Sequence, residues 1–152
     1  MSGIHPPRQP LDVYPGTARP IGVPHPALQP AGADVARWDE DPVFKKISGF
    51  YREFFAISHL CAAINRSPKT LYKWETSNLF PLATWIYNGE SRNGRRRLYT
   101  RRQIEGVVVI AYEEGVLSGT KRFISHTQFP ARCFELFKQT RAVLPEPIYD
   151  WS

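Results

Sequence analysis

The chain has 152 residues, 42% of them hydrophobic and 22% charged, with a formal net charge of +6. These proportions are those of a globular domain with a core, and no apolar run approaches the length of a membrane-spanning helix. The first residues, MSGIHPPRQPLDVYPG, lack a signal-peptide apolar stretch, and two cysteines, Cys61 and Cys133, are too few for a disulfide framework or a Cys-rich zinc site. The reading is of a cytoplasmic protein with reduced thiols and no membrane contact.

Nine of the 14 prolines fall within residues 1–42 (Pro6, Pro7, Pro10, Pro15, Pro20, Pro24, Pro26, Pro30 and Pro42). Proline fixes φ and removes a backbone donor, so residues 1–33 read as an extended proline-rich arm. Ile4, Leu11, Val13, Tyr14, Ile21, Val23 and Leu28 recur between the prolines and would suit a partner's groove. Residues 34–54 read as a linker and a leading helix. Asp41-Pro42 has the form of an N-cap followed by proline, and Val43, Phe44, Ile47, Phe50, Tyr51 and Phe54 then recur at helical spacing.

Residues 55–122 form the third segment. Ile57, Leu60, Cys61 and Ile64 give a short apolar stripe, with His59 expected on the exposed side, and Asn65-Arg66 marks a turn. Ser67-Pro68 caps the next helix, which buries Leu71 and Trp74. Lys69, Tyr72, Lys73 and Thr76 share its opposite face. Residues 82–87 and 95–99 read as two strands around the turn dipeptides Asn88-Gly89 and Asn93-Gly94. Alternation along the second strand would place Leu98 inward and Arg95, Arg97 and Tyr99 outward, with Arg92 and Arg96 near the tip. Thr100 caps a helix through Ile104, Val107, Val108 and Ala111, which Gly115 ends. Residues 123–152 contribute a last helix from near Pro130, using Cys133, Phe134, Phe137 and Val143, and a tail ending near Ile148 and Trp151.

Helix, tight turn, capped helix, hairpin and helix in that order predict a mainly α fold: a winged helix-turn-helix whose wing is a two-stranded hairpin, with an extended arm in front. Charge supports a nucleic-acid function. Residues 43–122 carry 14 cationic and six anionic side chains, and the flanking segments carry none of the excess. Cationic and polar groups on one helix face suit phosphates and base edges in the major groove, a helix N-terminus at Ser67 offers free N–H groups to a phosphate, and arginines on a narrow finger suit the minor groove.

The stretch from Ile57 to Glu75, ISHLCAAINRSPKTLYKWE, resembles the N-terminal motif of the MerR and excisionase-like winged-helix superfamily: Leu-Ala, a turn, Ser-Pro, Thr-Leu, an aromatic and a closing Glu. Leu79-Phe80-Pro81 resembles that family's turn into the wing, and Arg97-Leu98-Tyr99-Thr100 its Arg-Leu-Tyr-Ser segment, with Gln103-Ile104 in the helix behind. The resemblance covers residues 55–112. It implies that the second helix enters the major groove of duplex DNA and that Arg97 and Tyr99 hold the DNA backbone. Tyr72 stands where the family has arginine, Asn65 where it has a turn glycine, and the wing segment from Pro81 to Arg97 is long. About 30 residues follow Arg122, so no effector domain for drug or metal sensing is expected.

The expected function is sequence-selective duplex DNA binding, as a phage- or plasmid-type regulator or an excisionase-like architectural factor. Arg66, Ser67, Lys69, Thr70, Tyr72, Lys73, Thr76, Arg92, Arg95, Arg96, Arg97, Tyr99, Arg101 and Arg102 are its candidate contacts. Residues 1–33 and 123–152 are the candidate surfaces for a homo-oligomer or a protein partner. The alternative is an adaptor, such as a DNA-packaging or recombination-complex subunit. His59, Cys61, His126 and Cys133 have no metal-ligand spacing, and no phosphate loop or nucleophile–base pair is present, so no cofactor, metal or catalysis is expected.

Overall fold

The computed structural model describes residues 25–28, 37–88, 95–117 and 123–148. Its core is an α/β arrangement, not the mainly α one expected: a curled five-stranded antiparallel sheet with four α-helices among the described residues. The strands are β1 (Val43–Ile47), β2 (Phe50–Ala56), β3 (Trp85–Asn88), β4 (Arg95–Tyr99) and β5 (Pro147–Ile148); the helices are α1 (Ile57–Ile64), α2 (Pro68–Thr76), α3 (Arg101–Glu113) and α4 (Phe129–Thr140).

The largest correction lies at residues 43–56. The predicted leading helix is a β-hairpin. Ser48 and Gly49 have φ of 55° and 86°, so a two-residue turn with both central residues left-handed joins β1 to β2. Such a turn matches the strand twist, and glycine enters it without a Cβ penalty. The apolar spacing that imitates a helix is explained by the register. Val43 faces Phe54, Lys45 faces Arg52 and Ile47 faces Phe50, so these six side chains share one sheet face. Asp41 is therefore not a helix cap, and it too has positive φ, 55°.

The predicted wing is also part of this sheet rather than a free hairpin. The strand order is β1-β2-β4-β3, with Phe55 opposite Tyr99 and Ala56 opposite Leu98. The short β5 pairs with Tyr51 and Arg52, so β2 carries β1 on one edge and shares its other edge between β4 and β5. Arg52 reinforces that seam by donating to the Pro145 carbonyl at 2.6 Å. Curl brings the two edge strands together: the Lys45 Nζ of β1 lies 3.0 Å from the centroid of the Tyr87 ring of β3.

One sheet face, with Phe55 and Tyr99, packs against the helices; the other buries Phe54 and Leu98 within the curl, with the half-buried Trp85 edge-on against Phe54. Tyr99 is completely buried and Leu98 nearly so, which overturns the expectation that Tyr99 points outward. A strand covered on both faces buries consecutive side chains, and the period-two argument fails there. The helical core is formed by Leu60, Ile64, Leu71, Ile104, Val107, Phe129 and Leu136 with their neighbours. At Gly106 of α3 an added Cβ would lie 2.6 Å from the Leu136 side chain, so the missing Cβ lets α4 seat closely.

The helices expected at the Ile57-to-Ile64 stripe, after the Ser67-Pro68 cap and after the Thr100 cap are present as α1, α2 and α3. The side chains of Ser67 and Thr100 cap α2 and α3, and Asn65 ends α1 in the left-handed region with φ of 55°. The last helix stops at Thr140, so Val143 lies beyond it and is exposed. Of the arm, only residues 25–28 are described. They form a turn of 3-10 helix against α3, where His25 is buried, accepts the Ala27 N–H at Nδ1 (3.0 Å) and meets Glu113 at Nε2 (3.0 Å). This stretch is held by its own domain.

Candidate nucleic-acid interface

Helix α2 is the element that carries the site. The Ser67 hydroxyl accepts from the Thr70 N–H at 3.2 Å, and Pro68 occupies the first turn where its missing N–H costs nothing. Helical spacing then divides the residues. Leu71 and Trp74 turn into the core, with Trp74 packed edge-on against Phe129 at 5.7 Å. Lys69, Tyr72, Lys73 and Thr76 are all exposed on the other side, as the sequence predicts. The Tyr72 ring is 41% exposed, enough to meet a ligand and well short of a free side chain. No carboxylate sits on this face, because the one acidic residue of α2, Glu75, is turned inward.

Thr70 is half-buried, its hydroxyl 3.0 Å from Ser67 Oγ. The Thr76 hydroxyl donates to the Tyr72 carbonyl at 2.9 Å, so Thr76 offers an acceptor to the outside. Beside α2 a groove of about 350 Å³ opens between Lys73, Trp74 and Leu79 on one wall and residues 123–125 on the other, with Phe123 73% exposed at its lip.

The predicted contacts behind α2 behave differently. Arg97 of β4 donates from Nε to both Glu75 oxygens (3.2 and 3.0 Å) and from Nη2 to Glu75 Oε1 (2.8 Å). Its guanidinium carbon also lies 4.5 Å from the centroid of the Tyr72 ring. Burial works against its charge, and Glu75 more than compensates, so Arg97 holds its proton more tightly than a free arginine. Tyr99 has a buried hydroxyl with no hydrogen-bond partner, and burial raises its pKa well above the ordinary tyrosine value. Its place in the core separates it from any DNA backbone.

Arg101 is likewise engaged. It donates from Nε and Nη2 to the two Glu53 oxygens, each at 3.1 Å, and from Nη1 to Asp39 at 2.9 Å. Hydrogen bonds from Arg37 and from Arg101 hold the Asp39 carboxyl at about 2, down from 3.8. Arg66 spreads over carbonyls, reaching Ile64 and Asn65 with Nη1 and Val116 with Nη2 at 2.6 Å, and so ties the inter-helix turn to the end of α3. Arg102 is half-buried with an unpartnered Nε. Arg96 is exposed, paired across the strands with Tyr87 on the face opposite Arg97. The backbone of Arg95 belongs to β4, whereas its side chain and the whole of Arg92 lie outside the described residues.

The structure thus brings together Ser67, Lys69, Thr70, Tyr72, Lys73 and Thr76, with Arg97 beneath them, and turns Arg66, Tyr99 and Arg101 to other tasks. Sequence reasoning missed Glu75 as a site residue. The available signal was its position next to Trp74, on the inward flank of the helix. It also placed His59 outside. That imidazole is half-buried, accepts the Ala56 N–H at Nδ1 (3.0 Å) and meets the Glu40 carbonyl at Nε2 (2.8 Å), pinning residues 40–41 to α1. Both cysteines are buried and unpaired, and burial pushes the Cys133 thiol well up. No helix among the described residues is long and apolar enough to cross a membrane. Comparison with known protein families, curated proteins and solved structures finds no match to this chain.

Proposed function

We propose that this protein binds duplex DNA in a sequence-selective manner, with the outer face of α2 in the major groove, as a regulator or an architectural factor of DNA recombination. The observation that carries the reading is the composition of that face: Lys69, Tyr72, Lys73 and Thr76 side by side, exposed, with the helix's only carboxylate turned away. Lysines meet phosphates or guanine acceptors, a threonine oxygen accepts from an exocyclic amine, and an aromatic ring packs on a thymine methyl. The sequence resemblance over residues 55–112 supports the same reading, as does the excess of positive charge between residues 43 and 122. Arg96 supplies a further exposed cation on the hairpin. A single α2 reads a few base pairs, so selective binding calls for two copies or an array on the DNA.

The test is selection from a random duplex pool followed by titration across a salt series. The reading expects an enriched motif and a log–log salt slope of several units, about one for each phosphate contacted. Recovery of no motif, together with affinity independent of salt, would exclude it and leave the adaptor reading, in which protein partners hold residues 1–33 and 123–152.

A further inference from the structure

The Glu75–Arg97–Tyr72 arrangement does something a DNA contact does not need. Arg97 stands directly behind the exposed face of α2, where a free guanidinium would add affinity for any phosphate. Instead it is bound to Glu75 through three hydrogen bonds of 2.8–3.2 Å, and the Glu75 side chain is only 5% exposed. Fork-to-fork pairing of this kind fixes a guanidinium in one plane. That plane lies 4.5 Å from the Tyr72 ring, the aromatic group that α2 presents to the outside. The pair also spans two elements, fastening α2 to β4.

We propose that Glu75 is a selectivity-determining residue of the α2 surface, acting through Arg97. This rests on the duplex DNA reading above. Glu75 withholds Arg97 from phosphates, which lowers affinity for all sequences alike. In the same contact it holds Arg97 as a backing for Tyr72, so that the ring meets base edges in a single orientation and favours the apolar edge of a thymine methyl. Glu75 and Arg97 are positioning residues here, and Tyr72 is the group that touches DNA.

The experiment compares wild type with Glu75→Gln, Arg97→Lys and Glu135→Gln in random-duplex titrations across salt and in selection from a random pool. Glu135 lies on the exposed side of α4, its carboxylate engaged by Gln139 at 3.1 Å, so Glu135→Gln makes the same charge change away from the site. Glu75→Gln is expected to bind random duplex about tenfold more tightly at low salt, with a slope steeper by about one, while its enriched motif weakens. Glu135→Gln is expected to match wild type in both. Arg97→Lys keeps the charge but lacks the planar fork that pairs with Glu75 beside Tyr72, and is expected to blur the motif with the slope unchanged. Should Glu75→Gln fail to fold, Arg97→Lys carries the test. If the folded variants keep the wild-type slope and motif, the inference is overturned while the DNA reading stands. If wild type shows no salt-dependent duplex binding, both fall.

Discussion

Two sets of basic and aromatic side chains lie within a few residues of each other in space and serve opposite ends. On α2, Lys69, Tyr72 and Lys73 are exposed and face outward together. On β4 and the start of α3, Tyr99 is sealed in the core, Arg97 is bound to Glu75 and Arg101 to Glu53 and Asp39. A count of arginines therefore overstates the charge available to a polyanion. Cations that hold carboxylates are part of the scaffold, and the contribution to binding comes from those left in water.

The contrast can be broken most severely at Tyr99. Truncation of a buried aromatic costs about 3–5 kcal/mol, so Tyr99→Ala should lose most of the protein's stability in denaturant titration. Tyr99→Phe removes only a hydroxyl without a partner, and it should leave stability unchanged or raise it by up to about 1 kcal/mol. A large loss in Tyr99→Phe would show that the hydroxyl has work to do.

A smaller effect is expected from acid. Asp39 has a carboxyl value of about 2 in the fold against 3.8 ordinarily. A depressed folded-state value means that its stabilisation is fully present above 3.8 and is lost as pH falls through about 2. The amount is about 2 kcal/mol. Denaturant titrations of wild type and Asp39→Asn from pH 6 to pH 2 should converge at the acid end; parallel curves would remove Asp39 from the scaffold set.

The smallest effect on stability belongs to the α2 face itself. Ser67→Ala should cost about 1 kcal/mol through loss of the cap, measurable as a lower unfolding midpoint. Lys69→Ala with Lys73→Ala should change stability by less than about 0.5 kcal/mol, since neither lysine is buried. A larger destabilisation by the lysine pair would place those side chains in the scaffold set.

The elements legible in the sequence are those whose signals are local. Ser67-Pro68 and Thr100 cap helices by contacts three residues away, and the faces of α2 follow from 3.6-residue spacing alone. What escaped is set by partners distant along the chain. Glu75 lies 22 residues from Arg97, and Glu53 and Asp39 lie 48 and 62 from Arg101. Nothing near Arg97 or Arg101 announces those carboxylates. The β1–β2 hairpin escaped for another reason. A two-residue turn between strands rich in aromatic and β-branched residues puts apolar positions at intervals that also fit a helix, and Ser48-Gly49 was the signal that separates the two. Tyr99 escaped because the end of β4, at Leu98 and Tyr99, is covered on both faces, which alternation cannot reveal.

The claim that free cations on α2, and not Arg97 or Tyr99 of β4, make the DNA contact is tested most directly by one measurement. Wild type, Lys69→Ala/Lys73→Ala and Tyr99→Phe are titrated with the same duplex across a salt series. The lysine pair should lower the log–log slope by about two, and Tyr99→Phe should leave slope and affinity as they are. A slope untouched by the loss of both lysines, or a marked loss of affinity in Tyr99→Phe, would contradict this account.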